Sequence, residues 1–115
     1  TTGTPPGNFG GTPEHTSGTS TLAGAASAIL AGFYCTDNIA FSFASEGTTP
    51  TVRSYQSLSD AADEAGLSRI YSGIHFQFSN QAGREAGEGI GAEVVHTRLT
   101  RFTPCFSIFC ICPQL

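Results

Sequence analysis

Ser68-Arg69-Ile70-Tyr71-Ser72-Gly73-Ile74-His75 sets an arginine and a histidine six residues apart, with a glycine between them. A guanidinium is a planar fork of donors that can grip two oxygens of a tetrahedral anion. An imidazole can attack such an anion, or bind its central atom through an unprotonated nitrogen. Gly73 would let the backbone turn sharply or come close to a bound group. A histidine beside Phe76 and Phe78 is more often a hydrogen-bonded packing residue, so spacing alone is weak evidence for chemistry. A second segment, Glu14-His15-Thr16-Ser17-Gly18-Thr19-Ser20, stands immediately before an expected helix. Helix starts present unpaired N–H groups and the favourable end of the helix dipole to anions. Ser17 and Gly18 could donate from hydroxyl and amide together, or Ser17 could be an ordinary cap.

Other chemistries lack their residues. No Gly-x-Gly-x-x-Gly follows a strand pattern and no Gly-Lys-Ser/Thr pair occurs, so nucleotide binding has none of its usual signals. Asp60, Asp63 and Glu64 read as an exposed acidic helix face before they read as a metal site. His96 falls near an expected helix end, where it suits the dipole.

Helices are the elements that must position these groups. Residues 1–16 carry three Pro and four Gly without periodicity and read as loop. A first helix begins near Ser17 to Thr21, capped by Ser17 or Ser20, and ends at Cys35-Thr36-Asp37-Asn38. In it Leu22, Ala25, Ala26, Ile29, Leu30 and Phe33 recur at three- and four-residue steps, which predicts a buried apolar stripe. Ile39, Phe41 and Phe43 alternate with small residues and fit either a short strand or an extended connection; residues 46–51 form a turn-rich linker. Ser57 to Asp60 is a capping-box pattern opening a short helix to Gly66 or slightly beyond, with Leu58, Ala61, Ala62 and Ala65 on one face. A last helix is expected from about Asn80 to Val95. There Gly83, Gly87 and Gly91 form a stripe without side chains, beside a bulkier one of Ala82, Ala86, Ile90 and Val94. Each glycine costs a helix about 1 kcal/mol relative to alanine. Close approach by another helix would offset that cost.

Composition limits the partners. The 115 residues carry 39% apolar and only 12% charged side chains, with a net charge of -4 from nine acids and five arginines. No clustered basic face exists for nucleic acid. Arginine without any lysine suits paired oxyanion contacts, or reflects compositional bias. So little charge suggests that much of the surface faces something else, such as the rest of a larger protein. Leu22 to Tyr34 is too short to span a membrane, and four charged residues exclude the glycine-striped helix. No signal peptide is visible, and the compartment is left unassigned. Cys35, Cys105, Cys110 and Cys112 lack a zinc-type spacing; disulfides are possible, with no pairing fixed by the sequence.

Taken together, the segments resemble the vanadium-dependent haloperoxidase and type-2 phosphatidic acid phosphatase superfamily. Ser68-Arg69-x-x-x-Gly73-x-His75 matches its last signature in full, and Ile74-His75-Phe76-Gln77-Phe78-Ser79-Asn80-Gln81-Ala82-Gly83 looks like the haloperoxidase branch. Pro13-Glu14-His15-Thr16-Ser17-Gly18-Thr19-Ser20 resembles the middle signature, Pro-Ser-Gly-His. The resemblance implies an all-α fold, an incomplete helical bundle, with residues 1–96 as the C-terminal part of the domain and 97–115 as a divergent Cys- and Phe-rich tail. It implies vanadate as cofactor, or phosphate as the substrate-like anion. His75 would be the vanadium ligand or the phosphate nucleophile, Arg69 would hold the anion's oxygens, and Ser17 and Gly18 would add hydrogen bonds. The implied activity of an intact parent is peroxide-driven oxidation of a halide. The alternative is phosphomonoester hydrolysis through a phosphohistidine, as in an acid phosphatase.

Two departures bear on activity. Thr19 stands where the family places a general acid-base histidine, and nothing matches the family's first signature, which supplies a lysine and an arginine. The expectation is a fragment of a haloperoxidase-like enzyme, impaired or inactive as this chain, whose missing helices belong to a parent protein or another subunit. A non-catalytic helical remnant is the third reading.

Overall fold

The computed structural model describes residues 13–45 and 51–99; the expectations for the first twelve residues, for 46–50 and for the tail from 100 onward lie outside them. Three helices carry the fold: α1 (Gly18–Tyr34), α2 (Leu58–Tyr71) and α3 (Gln77–Thr97). Between α1 and α2 run two short strands, β1 (Phe41–Ala44) and β2 (Val52–Tyr55), paired antiparallel with Phe41 opposite Tyr55. The architecture is an all-α three-helix bundle carrying one hairpin.

Local chemistry sets the helix ends. The Ser17 side chain accepts from the Ser20 amide at the start of α1. Ser57 does the same for Asp60 at the start of α2, over 3.0 Å. Asp37 adds a cap from outside: its carboxylate accepts from the Ser59 amide and its carbonyl from the Leu58 amide, which ties the exit of α1 to the entry of α2. Cys35, disulfide-bonded, closes α1 in the left-handed region at φ 62°. α2 runs five residues beyond the Gly66 boundary expected from its pattern, and α3 starts three residues earlier than expected.

α1 packs chiefly on α3, and small residues set that contact. Gly83, Gly87 and Gly91 of α3 are buried against α1. A Cβ added at Gly91 would lie 2.7 Å from the Ala25 carbonyl oxygen, and one at Gly87 would collide with the Thr21 carbonyl. The contact is reciprocal, since a Cβ at Gly24 of α1 would sit 2.7 Å from the Arg84 carbonyl oxygen. The expected close approach is therefore present.

The predicted core face of α1 is corrected by the same contact. Its buried residues are Ser20, Gly24, Ser27 and Ala31, while Leu22 is 73% and Phe33 65% exposed on the opposite face. Backbones in contact leave no room for Leu or Phe between them, so α1 turns its small face inward.

The hairpin is held to α2 by Tyr55, which is buried. Its hydroxyl donates to Glu64 over 3.0 Å, and Glu64 also pairs with Arg53. Phe41 lies against the Tyr55 ring at 5.3 Å.

Candidate oxyanion site

The spacing of Arg69 and His75 is the geometry of one helix terminus. Ser72 closes α2, and Gly73 follows at φ +73°. The Gly73 amide donates to Ile70 and the Ile74 amide to Arg69, at 2.9 and 3.0 Å, which is a Schellman closure. The His75 amide also reaches the Arg69 carbonyl, at 3.4 Å. Glycine at this position takes the left-handed turn without a Cβ clash. Arg69 and His75 are thereby joined through the main chain.

His75 is buried at 7% exposure in the linker between α2 and α3. Its Nδ1 lies 2.6 Å from the Glu14 carbonyl oxygen. A carbonyl can only accept, so Nδ1 carries a proton, and in the neutral ring Nε2 is the nitrogen with the lone pair. That tautomer is the one a nucleophile or an oxyanion ligand requires at Nε2.

The segment before α1 is zipped onto the segment after α2. The Glu14 carboxylate accepts from the Phe76 amide at 2.8 Å, His15 Nδ1 meets Ser79 Oγ at 3.2 Å, and the Ser17 amide donates to the Ser79 carbonyl at 3.3 Å. His15 also stacks on Phe78, with centroids 5.5 Å apart. The Phe76 amide, then the Ser79 hydroxyl, hold the Glu14 carboxyl below its ordinary value, and the nearby His75 and His15 rings add to this. The two segments singled out in the sequence are thus brought together, 61 residues apart at the His75–Glu14 bond.

Ser17 and Gly18 take different positions there. Ser17 is fully buried, and its Oγ lies 2.8 Å from Ser20 Oγ. Ser20 donates its own proton to Asn80 at 2.6 Å, so Ser17 must donate to Ser20. The Ser17 proton that sequence reasoning assigned to an anion is directed into this buried chain. Gly18 and Thr19 are exposed, and their amides meet no acceptor among the described residues. Arg69 is half-buried, donates from Nε to Ser68 Oγ at 3.2 Å, and forms no ion pair among the described residues. Among the described residues the open donors are therefore the terminal nitrogens of the guanidinium and two helix-start amides, with Nε2 of a neutral His75 ring as the lone-pair group.

Sequence reasoning missed Glu14, Ser79 and Asn80. Their roles rest on contacts across sixty or more residues or, for Glu14, on a main-chain carbonyl, which has no sequence signature. Asn80 is buried at 7% and faces Gly66 of α2, so it also fixes where α2 meets α3. Among the described residues no group of three or more His, Cys, Asp or Glu could chelate a metal ion. No described helix is long and apolar enough to cross a membrane.

Comparison with known proteins identifies the family. The chain is 39% identical to a solved structure described as that of the first bacterial vanadium-dependent iodoperoxidase, with a TM-score of 0.64. The match covers 73% of this chain and 20% of that one, so the chain spans about a fifth of the length of its relative. A search of curated proteins found no match. Residues 4–103 match the family described as the VCPO second helical-bundle domain. With the last signature intact and its arginine and histidine joined at one helix end, the chain belongs to the VCPO second helical-bundle domain family, within the vanadium-dependent haloperoxidase and acid-phosphatase superfamily.

Proposed function

We propose that His75, Arg69 and the amide of Gly18 belong to the oxyanion site of a vanadate-dependent haloperoxidase-like enzyme, with Ser17 shaping the helix start that presents the amide. The observation that carries this reading is the contact of His75 Nδ1 with the Glu14 carbonyl: a neutral ring held there by Nδ1 leaves Nε2 as its ligand or nucleophile. The retained donors suit a tetrahedral oxyanion, since among the described residues Arg69 forms no ion pair and the Gly18 and Thr19 amides meet no acceptor. Bound vanadate would supply Lewis-acid activation of hydrogen peroxide toward a halide. Similarity to an iodoperoxidase favours this over phosphomonoester hydrolysis with phosphate as the bound anion.

The site's charge is low for the task. Thr19 offers no acid-base group, and the chain has no lysine. Fixed positive charge is a large part of oxyanion and transition-state stabilisation. Weak anion binding and impaired turnover follow, with the remaining basic groups and helices supplied by other parts of a longer protein or by another subunit. We place residues 1–96 in the helical domain and 97–115 in a divergent tail. The Ser17 proton, directed to Ser20, favours a second reading, a non-catalytic helical remnant.

Vanadium NMR tests the proposal by titrating vanadate into this chain and a His75→Ala variant. Saturable binding that is lost in the variant supports an oxyanion site. No binding, or binding indifferent to His75, leaves the remnant. Where binding is found, iodide oxidation with peroxide against phosphomonoester turnover separates the two enzyme readings.

A further inference from the structure

We infer that Glu14 is the positioning residue for His75, holding the ring from its main chain while its own side chain fixes that main chain in place; the inference rests on the oxyanion reading of His75.

Two contacts from one residue make the argument. The Glu14 carbonyl accepts the Nδ1 proton of His75 at 2.6 Å. One position on, the Glu14 carboxylate accepts from the Phe76 amide at 2.8 Å. Phe76 is the N-cap of α3 and has no side-chain cap of its own, so Glu14 supplies the missing acceptor from another part of the chain. A negative group is also favourable at this end of a helix. Capping α3 would require only the carboxylate. The second contact, from carbonyl to ring, selects which nitrogen of His75 bears the proton.

The carbonyl is useful only while its place is fixed, because Glu14 lies in a segment with no helix or strand. Its carboxylate anchors it on one side of the peptide. On the other side, His15 meets Ser79 and the Ser17 amide meets the Ser79 carbonyl. Loss of the Glu14 carboxylate frees the carbonyl to leave the ring. His75 then no longer has a single tautomer, and a protonated Nε2 cannot ligate or attack. Groups that orient a metal-binding histidine characteristically change affinity by about 10- to 100-fold when removed.

The test uses nitrogen-15-labelled chain, in which two-bond proton–nitrogen spectra assign the His75 tautomer of the neutral ring. Wild type should show the Nδ1–H form. Glu14→Gln should keep it, because a carboxamide oxygen still accepts from Phe76. Glu14→Ala should show mixed tautomers or the Nε2–H form, with faster exchange of the Phe76 amide. If the alanine variant does not fold, Glu14→Ser, which is polar but too short to span the same gap, carries the same expectation. An Nε2–H ring in wild type, or an unchanged Nδ1–H ring in the truncated variants, overturns the inference. Vanadate titration of the same samples separates the two ideas. About tenfold or greater weakening in the truncated variants, with Glu14→Gln near wild type, supports positioning for binding. Vanadate binding that is equal in all variants overturns it. A tautomer that responds to Glu14 in a chain that never binds vanadate removes the oxyanion reading, and with it the functional meaning of the position, while the clamp itself stands.

Discussion

Glu64 receives two donors from the hairpin, the Arg53 guanidinium and the Tyr55 hydroxyl. The hydrogen bond from Arg53 does most to push its carboxyl below the ordinary 4.5, with Tyr55 adding to it. Tyr55 is itself pushed above its ordinary 10.0, first by burial and then by Glu64. A carboxyl lowered on folding stabilises the folded form above its ordinary value, and that contribution is lost as pH falls through the lowered one. A phenol raised on folding gives the opposite limb: its contribution is present below 10.0 and lost as pH rises through the raised value. Glu64 is exposed enough for salt to screen it, so the expected outcome is loosening of the hairpin while the helices persist. Tyrosine near-UV circular dichroism should therefore change at both pH extremes before far-UV ellipticity does, and Glu64→Gln should remove the acid limb. Residues of this kind were not legible in the sequence, because Arg53 and Glu64 gain meaning only once a hairpin lies on α2. Arg69, Gly73 and His75 were legible because one helix terminus contains all three. Glu14 escaped notice because its contact with the ring is made by a main-chain carbonyl.

Between elements, the decisive contact is the α1–α3 interface. Gly87→Ala places a methyl against the Thr21 carbonyl and 2.8 Å from the Ala25 amide nitrogen, both backbone groups that cannot swing aside. The expected loss is about 1–3 kcal/mol, outweighing the better helix propensity of alanine. Gly89→Ala, two residues along the same helix, meets nothing within 4 Å and should instead gain up to about 1 kcal/mol. Denaturant midpoints of the two variants check both signs. Helix existence and most caps were readable from local pattern, because Ser17 and Ser57 act within their own first turns. The inward face of α1 was not readable. Its stripe of Leu22, Ile29, Leu30 and Phe33 has the period of a buried face, yet the partner helix presents glycine and accepts only small residues. Strand β2 was missed for a related reason: Val52–Tyr55 becomes a strand by pairing with β1 and docking Tyr55, and its four residues carry little signal alone.

At the scale of the whole molecule, few large apolar side chains are buried among the described residues. Tyr55 and Leu58 are buried, while Leu22, Phe33, Tyr71, Phe76 and Phe78 are each more than half exposed. Exposed apolar side chains in this number promote association. Sedimentation velocity should show this chain self-associating as concentration rises. A Leu22→Ser, Phe33→Ser variant should reduce association and leave the denaturation midpoint nearly unchanged, because both side chains are mostly exposed. The low share of charged residues in the sequence is consistent with an apolar surface, although composition could not say which side chains form it.

The glycine-lined contact between α1 and α3 also shapes the response to temperature. Such an interface removes little hydrocarbon from water, and glycine and alanine have no rotamers to freeze when it forms. Unfolding should therefore expose little apolar area and carry a heat-capacity increment below the usual ~12–15 cal/mol/K per residue. The stability curve of this bundle is correspondingly flat: shallow at its maximum, and slow to fall on cooling as well as on heating.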